Sequence, residues 1–412
     1  MTSEGERGPG IRAALARCIS VSEKQFAANY WGRVPLLSRA HELHEDFSDL
    51  FSLAVVDELV ANRAMRTPFV RMANEGTMLA AHRYTSPSGF GAEVSDQLDP
   101  DKVLTEFAAG ATLVLQGLHR TWEPLRDFTR RLVHELGHPA QVNAYITPAS
   151  SRGFDPHYDV HDVIVIQIHG EKHWVIHPPV HENPLADQPW SDHSEAVAAQ
   201  ATGPAAIDAT FAPGDVLYLP RGWIHSATAL GGVSIHLTIG VSALTRWDIV
   251  EQVVASLKDD AGLRSSLPIG SPRGDAAELA NLVLDTVSAL TVALERGIDP
   301  APVSRRLAAQ LASSTRPEPV LPISTVERLA ALDSSDAVRW RDGAHALLER
   351  DETSVRVILR TKTVVLPIEA ARAVEDLANG GMVSAASLVG LDAASSIVVA
   401  RRLLREGILV FG

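Results

Sequence analysis

The sequence holds one cysteine, Cys18, in 412 residues, so a disulfide within the chain is excluded. A chain without disulfides is typical of a reducing compartment, and we expect a cytoplasmic protein. Residues 1–7 lack the apolar core of a signal peptide, and no uninterrupted apolar segment of membrane length follows. We therefore expect no membrane partner.

Positive charge is also scarce. Lysine and arginine number 37 against 50 aspartate and glutamate residues, which gives a formal net charge of −13. An acidic surface argues against a general nucleic-acid binder and favours basic partners. The sequence contains neither a Gly-x-Ser-x-Gly nucleophile turn nor a glycine-rich phosphate loop, so a serine hydrolase or a nucleotide transferase has little support.

The most informative motif is His157-Tyr158-Asp159, which precedes the β-branched residues 160–168. This run lacks a helical period and predicts a buried strand. Residues two apart in an extended chain point the same way, so His157 and Asp159 can face one metal ion. The spacing alone is common, and by itself it is more typical of a loop histidine.

A second segment adds a distant histidine. Pro213-Gly214 predicts a turn, residues 216–219 a short strand, and residues 233–239 another strand, with His225 in a glycine-containing turn between the two strands. Short strands of this kind favour a small barrel that brings His225 back to His157. Two histidines and one carboxylate are typical ligands of non-haem Fe(II) in oxygenases.

A compact alternative uses His161 in place of His225. The three local ligands His157, Asp159 and His161 would share one face of a strand and would suit zinc and hydrolysis. That alternative leaves the His225 turn without a purpose.

Several segments resemble the JmjC/cupin ribosomal oxygenase family, whose members are Fe(II)- and 2-oxoglutarate-dependent protein hydroxylases. The motifs that carry the resemblance are residues 153–159, 167–174, 213–215 and 220–225, with weaker matches at 29–37 and 110–115. The resemblance implies an α+β fold with a double-stranded β-helix (cupin/JmjC) barrel. It also implies a helical dimerisation region and a C-terminal winged-helix-like domain.

The same resemblance implies roles for individual residues. His157, Asp159 and His225 match the iron ligands, and Lys172 matches the basic residue that binds the distal carboxylate of 2-oxoglutarate. Without the family, Lys172 is equally typical of an exposed hairpin lysine. Four further positions match the cofactor pocket: Asn143, Tyr145, His236 and Thr238. A core histidine is the alternative for His236, unless it meets the pocket.

The resemblance implies Fe(II), 2-oxoglutarate and O2 as reactants, with decarboxylation of 2-oxoglutarate driving hydroxylation of a substrate C–H bond. The expected substrate is a ribosomal protein, at an arginine or histidine side chain. Alternatives are another peptide such as a peptide natural product, N-methyl-lysine demethylation, and a metal-free cupin regulator. The intact ligand motif argues against the regulator.

We expect three domains, at residues 1–242, 243–315 and 316–412. Within the first, residues 125–136 show a helical stripe that Gly137 ends. In the second, the periodic apolar residues 277–294 and 302–311 predict helices. Relatives dimerise through such a region, so we expect a homodimer. A helical cap on the chain's own barrel is the alternative.

The third domain follows a proline-rich linker at 316–322. It has a predicted strand at 355–359, helices at 368–377, 383–388 and 392–405, and a strand at 407–411. This order resembles a winged helix. Residues 366–412 contain five acidic and four basic residues, however, which is a poor footprint for DNA. We expect no DNA partner and a structural or protein-contact role.

Overall fold

The computed structural model describes residues 13–74, 76–91, 93–149, 155–269 and 276–412. The chain forms two compact units, Met1–Ala243 and Leu244–Gly412, and each is described by itself. Gly153 and Phe154 of the first motif lie outside the described residues, as do residues 1–7. The division at 315/316 that the sequence predicts stays a prediction.

In the part that the structure describes, the first unit contains a large antiparallel sheet and six helices, most of which precede the long strands in sequence. Its helices are α1 (Glu23–Asn29), α2 (Leu53–Asn62), α3 (Pro100–Ala108), α4 (Leu118–Thr121), α5 (Glu123–Leu136) and α6 (Ser194–Gln200). Its strands are β1 (Leu36–Ser38), β2 (Val70–Asn74), β3 (Thr77–Met78), β4 (Thr85–Ser86), β5 (Gln97–Leu98), β6 (Thr112–Leu115), β7 (Ala140–Thr147), β8 (Asp162–His177), β9 (Ile207–Phe211), β10 (Val216–Leu219) and β11 (Ile224–Val241).

The sheet is built around two long strands, β8 and β11, which pair with each other along most of their length. The order is β1-β10-β8-β11-β7-β6-β2-β3, and β9 pairs with the far half of β8. The first half of β8 therefore pairs with β10 and its second half with β9. The strands predicted at 160–168 and 233–239 are confirmed as parts of longer strands, and the strand at 216–219 is confirmed in full.

A bend in the middle of β8 and β11 rolls the sheet. The pairing shifts register between Leu230 and Ile235, opposite Gly170. Gly170 has a φ of +62°, and a Cβ there would lie 2.1 Å from the carbonyl oxygen of Val233. Glycine is thus required at this position on two counts, conformation and space.

The rolled sheet encloses an apolar interior. Val163 and Val165 from the first half of β8 pack in one cluster with Trp174 and Ile176 from its second half. The alternate residues Ile164 and Ile166 belong to a different cluster, which joins the outer face of the sheet to the helices. The two-residue period of the strand therefore separates interior from exterior packing.

Helix α5 is the clearest confirmation of a local signal. It spans Glu123–Leu136, and Gly137 ends it in the left-handed conformation with a φ of +70°. Leu125, Phe128 and Leu132 are fully buried at three- and four-residue spacing. The predicted apolar stripe is the face that packs on the sheet.

The second unit begins with helices α7 (Arg246–Ser256), α8 (Ala276–Glu295), α9 (Pro300–Ser314) and α10 (Pro322–Ala330). Two three-stranded sheets follow, formed by β12 (Ala337–Trp340), β13 (Leu347–Arg350), β14 (Ser354–Ile358), β15 (Thr363–Pro367), β16 (Met382–Ser384) and β17 (Leu409–Phe411). Helices α11 (Ala371–Ala378) and α12 (Ala393–Arg405) complete it. The helices predicted at 277–294 and 302–311 are confirmed as α8 and α9.

The C-terminal part follows the predicted order with one exception. The strands near 355–359 and 407–411 and the helices near 368–377 and 392–405 are present. The helix predicted at 383–388 is wrong, because Val383 pairs with Val338 in the sheet of β16 and β12. A six-residue helix is marginal on its own, and pairing with β12 supplies backbone hydrogen bonds to residues 382–384 instead.

Helix α8 leaves most of its apolar side chains exposed. Ala293 is the one buried residue among those described in it, whereas Leu279, Val283, Leu284 and Val287 are exposed. By length and composition α8 could cross a membrane, with Glu278 and Asp285 in its sequence. Asp285 interrupts the apolar run, so the expectation that no uninterrupted apolar segment of membrane length exists stays a prediction for this helix.

Candidate metal centre and its cavity

Three side chains from two strand ends meet at one point. His157 and Asp159 precede β8, and His225 is the second residue of β11. One ligand atom from each of the three residues lies within 4.8 Å of the others, and the Nε2 of His225 is 3.8 Å from the Oδ2 of Asp159. His225 thus lies in a strand and not, as predicted, in the turn before it.

Backbone pairing holds the cluster together. The amide of His225 donates to the carbonyl of His157 at 2.8 Å, and the amide of His157 donates to that of His225 at 3.2 Å. The two imidazole rings are consequently neighbours, with centroids 4.4 Å apart. Residues 68 positions apart in sequence are fixed as a cross-strand pair.

Hydrogen bonds select the ligating nitrogen of both rings. The Nδ1 of His157 is 2.8 Å from the carbonyl oxygen of Asp155, and the Nδ1 of His225 is 3.1 Å from that of Trp223. A carbonyl oxygen only accepts, so each Nδ1 carries the proton and each Nε2 carries the lone pair that a metal uses. Two imidazoles and one carboxylate form a donor set that fits Fe(II).

Burial keeps His225 neutral. The side chain is 8% exposed, and this burial, together with the nearby His157, lowers the pKa of His225 to about 4. A histidine must be unprotonated to bind a metal ion. The ring is therefore ready to coordinate at neutral pH.

Asp162 anchors the turn that delivers His225. Its carboxylate is fully buried and accepts hydrogen bonds from the Tyr218 hydroxyl and from the Arg221 amide, each at 2.9 Å. The guanidinium of Arg221 lies 3.6 Å away as a counter-charge. A buried carboxylate needs such partners. Asp162 was not predicted from the sequence, although an aspartate inside a β-branched run was the available signal.

The metal ligands open into a cavity inside the rolled sheet, with a volume of about 120 Å³. Lys172 is the one lysine or arginine among its lining residues. Its side chain is buried, and its Nζ lies 3.3 Å from the Thr147 hydroxyl and 6.0 Å from the centre of the Trp174 ring. The exposed hairpin lysine is thereby excluded, because the chain passes the bend at Gly170 and continues as a strand.

Lys172 gives the cavity its charge. Desolvation by burial lowers the pKa of Lys172 to about 8. A buried ammonium is costly unless an anion accompanies it. A small dicarboxylate with one end at the metal ligands and the other at Lys172 would supply that anion.

Aromatic side chains form the wall between the metal ligands and Lys172. Tyr145 and His236 stack with centroids 5.0 Å apart, and Trp174 meets His236 edge-on at 5.4 Å. Burial and the charge of Lys172 hold the pKa of His236 well below its ordinary value, so the ring is neutral. Burial also raises the pKa of Tyr145 to about 12.

Of the four predicted pocket residues, three line this cavity and one does not. Tyr145, His236 and Thr238 are lining residues, so His236 meets the pocket. Asn143 is not among them, because its Oδ1 accepts a hydrogen bond from the amide of Gly117 at 3.0 Å. The amide side chain anchors the start of α4 instead.

His161 is separated from the ligands. A Cβ on Gly240 would lie 2.7 Å from the His161 ring, so this ring packs against the backbone of β11. The cluster of potential ligand atoms in the described part of the chain comprises His157, Asp159 and His225. The local trio proposed as a zinc site is therefore wrong.

Comparisons with known proteins agree with this geometry. A family model described as a JmjC domain matches residues 119–249, which include the three ligand residues. Ribosomal oxygenase 1 of Bos taurus is 28% identical over 281 residues, covering 65% of this chain and 40% of that protein. Ribosomal oxygenase 2 of Mus musculus is 40% identical over 166 residues, covering 38% of this chain and 34% of that protein.

The solved structure of YcfD, a ribosomal oxygenase from Escherichia coli in complex with cobalt and 2-oxoglutarate, has a similar fold. The TM-score is 0.52 at 15% identity, over 96% of this chain and 99% of that one. The chain spans less than half the length of the bovine and murine relatives. Residues 119–249 thus match a JmjC domain, the chain is similar in sequence to ribosomal oxygenases, and it has a JmjC/cupin fold.

Proposed function

We propose that the chain is an Fe(II)- and 2-oxoglutarate-dependent oxygenase that hydroxylates an amino-acid side chain of a protein substrate. The observation that carries the proposal is the pairing of two features in one cavity. His157, Asp159 and His225 converge at its mouth, and Lys172 is its buried cation. The first feature suits a metal and the second suits a dicarboxylate.

The chain's own residues would each contribute a defined task. The three ligand residues would hold iron through two Nε2 atoms and a carboxylate, leaving the opposite face open. Lys172, beside Thr147, would neutralise the distal carboxylate of 2-oxoglutarate. Val163, Val165 and Trp174 supply apolar walls that would limit the access of water. Bound iron, with 2-oxoglutarate and O2, would supply the oxidising power that breaks a substrate C–H bond.

We propose a ribosomal protein as substrate, at an arginine or histidine side chain. The acidic balance of −13 suits a basic polypeptide, and the curated relatives are named as ribosomal oxygenases. Another peptide, such as a peptide natural product, is the alternative substrate. Demethylation of N-methyl-lysine would begin with the same hydroxylation step.

The test has two stages. Purified protein supplied with Fe(II), ascorbate, 2-oxoglutarate and O2 should release succinate, and His157→Ala should abolish the release. His173→Ala is the matched control, because His173 pairs with Asp208 outside the ligand cluster and its loss should leave turnover intact. Mass spectrometry of the proteome with and without the active protein should then find added oxygen on a ribosomal protein. Succinate at the level of the His157→Ala variant would overturn the proposal.

We further propose that α7, α8 and α9 pair two copies of the chain. The support is the row of exposed apolar residues on α8, at Leu279, Val283 and Val287. For residues 366–412 we propose a structural or protein-contact role in a winged-helix-like arrangement, without DNA, because acidic residues outnumber basic ones there.

A further inference from the structure

A segment between β8 and β9 lies beside the ligand cluster. It runs from residue 178 to 206, contains α6, and is called the cover segment below. The Tyr158 hydroxyl donates to the carbonyl of Gln188 at 3.1 Å, and the buried Tyr158 ring packs with Val197. Because Tyr158 stands between the ligands His157 and Asp159, the cover segment is tied to the metal-binding motif itself.

The cover segment also contacts the turn that carries the third ligand. A Cβ at Gly222 would lie 2.7 Å from the carbonyl oxygen of His181, with a φ of +87° at the glycine. The chain thus permits a close approach of the two backbones at this point. The cover segment therefore contacts both segments that carry candidate metal ligands. These contacts hold it beside the ligand cluster.

The cover segment places an aromatic ring beside the ligand cluster. The Trp190 ring centroid is 6.3 Å from that of His157, yet 38% of the residue is exposed. The exposed part of the indole is available to contact a molecule bound beside His157. Trp is also the best aromatic partner for a cation that stacks on its face.

The charged residues of the cover segment, apart from its histidines, have one sign. The cover segment contains four acidic residues and neither lysine nor arginine: Glu182, Asp187, Asp192 and Glu195. All four are exposed. Asp192 is near enough to Tyr158 for its charge to contribute, after burial, to raising the pKa of that phenol. The cover segment is therefore anionic, whereas the interior of the cavity carries the cation Lys172.

The cavity interior and the cover segment carry opposite charges, so they favour ligands of opposite charge. An anion is favoured inside at Lys172 and disfavoured at the cover segment, and a cation is favoured at the cover segment. We infer that the cover segment is the substrate-recognition surface, that Trp190 receives a cationic side chain of the substrate, and that Asp192 and Glu195 bind neighbouring cations. The inference rests on the proposed function and deepens it, since it assigns specificity to named residues.

The inference is tested by peptide binding without turnover. Two fluorescein-labelled peptides of equal length are compared by anisotropy, one rich in arginine and one with glutamate at the same positions. Wild-type protein, with manganese and 2-oxoglutarate bound, should bind the arginine peptide and reject the glutamate peptide. Trp190→Ala should weaken binding about fivefold, the size of one cation–π contact of about 1 kcal/mol. Trp190→Phe should retain part of the affinity.

Charge is tested by a matched pair of double variants. Asp192→Asn with Glu195→Gln should weaken binding of the arginine peptide and flatten its dependence on salt. Glu23→Gln with Asp57→Asn removes the same charge from exposed positions on α1 and α2. This control should change neither the affinity for the arginine peptide nor its dependence on salt. Equal binding of the two peptides, or equal effects of the two double variants, would overturn the inference.

Separate measurements distinguish a failure of the proposed function from a failure of this inference. Manganese and 2-oxoglutarate binding are measured on the same protein by water-proton relaxation, and peptide binding is repeated on metal-free protein. Absence of manganese binding with retained arginine-peptide binding would count against the oxygenase alone. Normal manganese binding with no preference for arginine would count against the recognition surface alone.

Discussion

At the scale of single residues, Asp159 supplies the carboxylate of the candidate metal site. Its Oδ2 is the oxygen nearest the Nε2 of His225, at 3.8 Å. Asp159→Ala should abolish manganese binding and succinate release while leaving the circular dichroism spectrum and the unfolding midpoint close to wild type, because the side chain is not part of an apolar cluster. Hydroxylation that survives this change would remove Asp159 from the site.

Lys172 should make cosubstrate binding dependent on pH. The ammonium form is the one that attracts a dicarboxylate, and burial lowers the pKa of Lys172 to about 8. The affinity for 2-oxoglutarate should thus be highest below pH 8 and should fall as pH rises above it. Lys172→Met should weaken 2-oxoglutarate binding at least about tenfold at pH 7, as measured by calorimetry with manganese present, and should remove the fall above pH 8.

Lys172 should lower the free energy of unfolding when the cavity holds no anion. A pKa lowered from 10.5 to about 8 corresponds to about 3 kcal/mol against folding at pH 7. Lys172→Met should therefore raise the free energy of unfolding of the ligand-free protein by a sizeable part of that amount. The difference should narrow between pH 8 and 10, because the wild-type lysine then folds uncharged. A variant less stable than wild type at pH 7 would contradict this account.

At the scale of elements, the bend at Gly170 is the feature that turns a ribbon into a rolled sheet. Gly170 and Gly231 both have positive φ angles, +62° and +70°, but a Cβ would meet Val233 at Gly170 and nothing within 4 Å at Gly231. Gly231→Ala should cost about 1 kcal/mol for conformation alone. Gly170→Ala should cost at least about 2 kcal/mol more in urea unfolding, since the strands must separate. Equal costs would mean that space at the bend is not limiting.

Local elements could be predicted from sequence where period and capping agree. The stripe and Gly137 define α5, and Pro220 ends the strand 216–219. The candidate ligand set could be predicted because a second recognisable segment adds His225 to the pair His157 and Asp159. The bend could not be predicted, because the sequence around Gly170 resembles a hairpin turn. The continuation of β8 beyond it depends on pairing with β11 and β9, which are distant in sequence. Asn143 was misplaced for a similar reason, because its hydrogen bond to Gly117 is tertiary.

At the scale of the whole molecule, function requires contributions from segments that are far apart in sequence. Asp162, Tyr218 and Arg221 fix the His225 turn, and the cover segment is tied to Tyr158. None of these links has a sequence period. They could be found only once the fold had placed β8, β10 and β11 side by side. The buried Asp162 and the partly exposed Trp190 both lie near the ligand cluster, although the burial of each opposes its chemistry.

The exposed apolar residues of α8 lead to a prediction about assembly. Val283 and Val287 are 61% and 51% exposed and lie one turn apart, so they share a face of the helix. Burying that face against a second copy would remove apolar area from water, and light scattering should give twice the chain mass of 44.3 kDa. Val283→Asp with Val287→Asp should yield the single-chain mass.

Ser288→Asp is the control for that assembly, since it adds a charge at an exposed polar position of the same helix and should leave the dimer intact. A membrane would cover the same face in a different way. Flotation with vesicles of neutral phospholipid separates the two, because a helix buried between two copies has no apolar side chains left for lipid. Wild-type protein that scatters as a single chain and floats with the vesicles would assign α8 to the bilayer and remove the dimer.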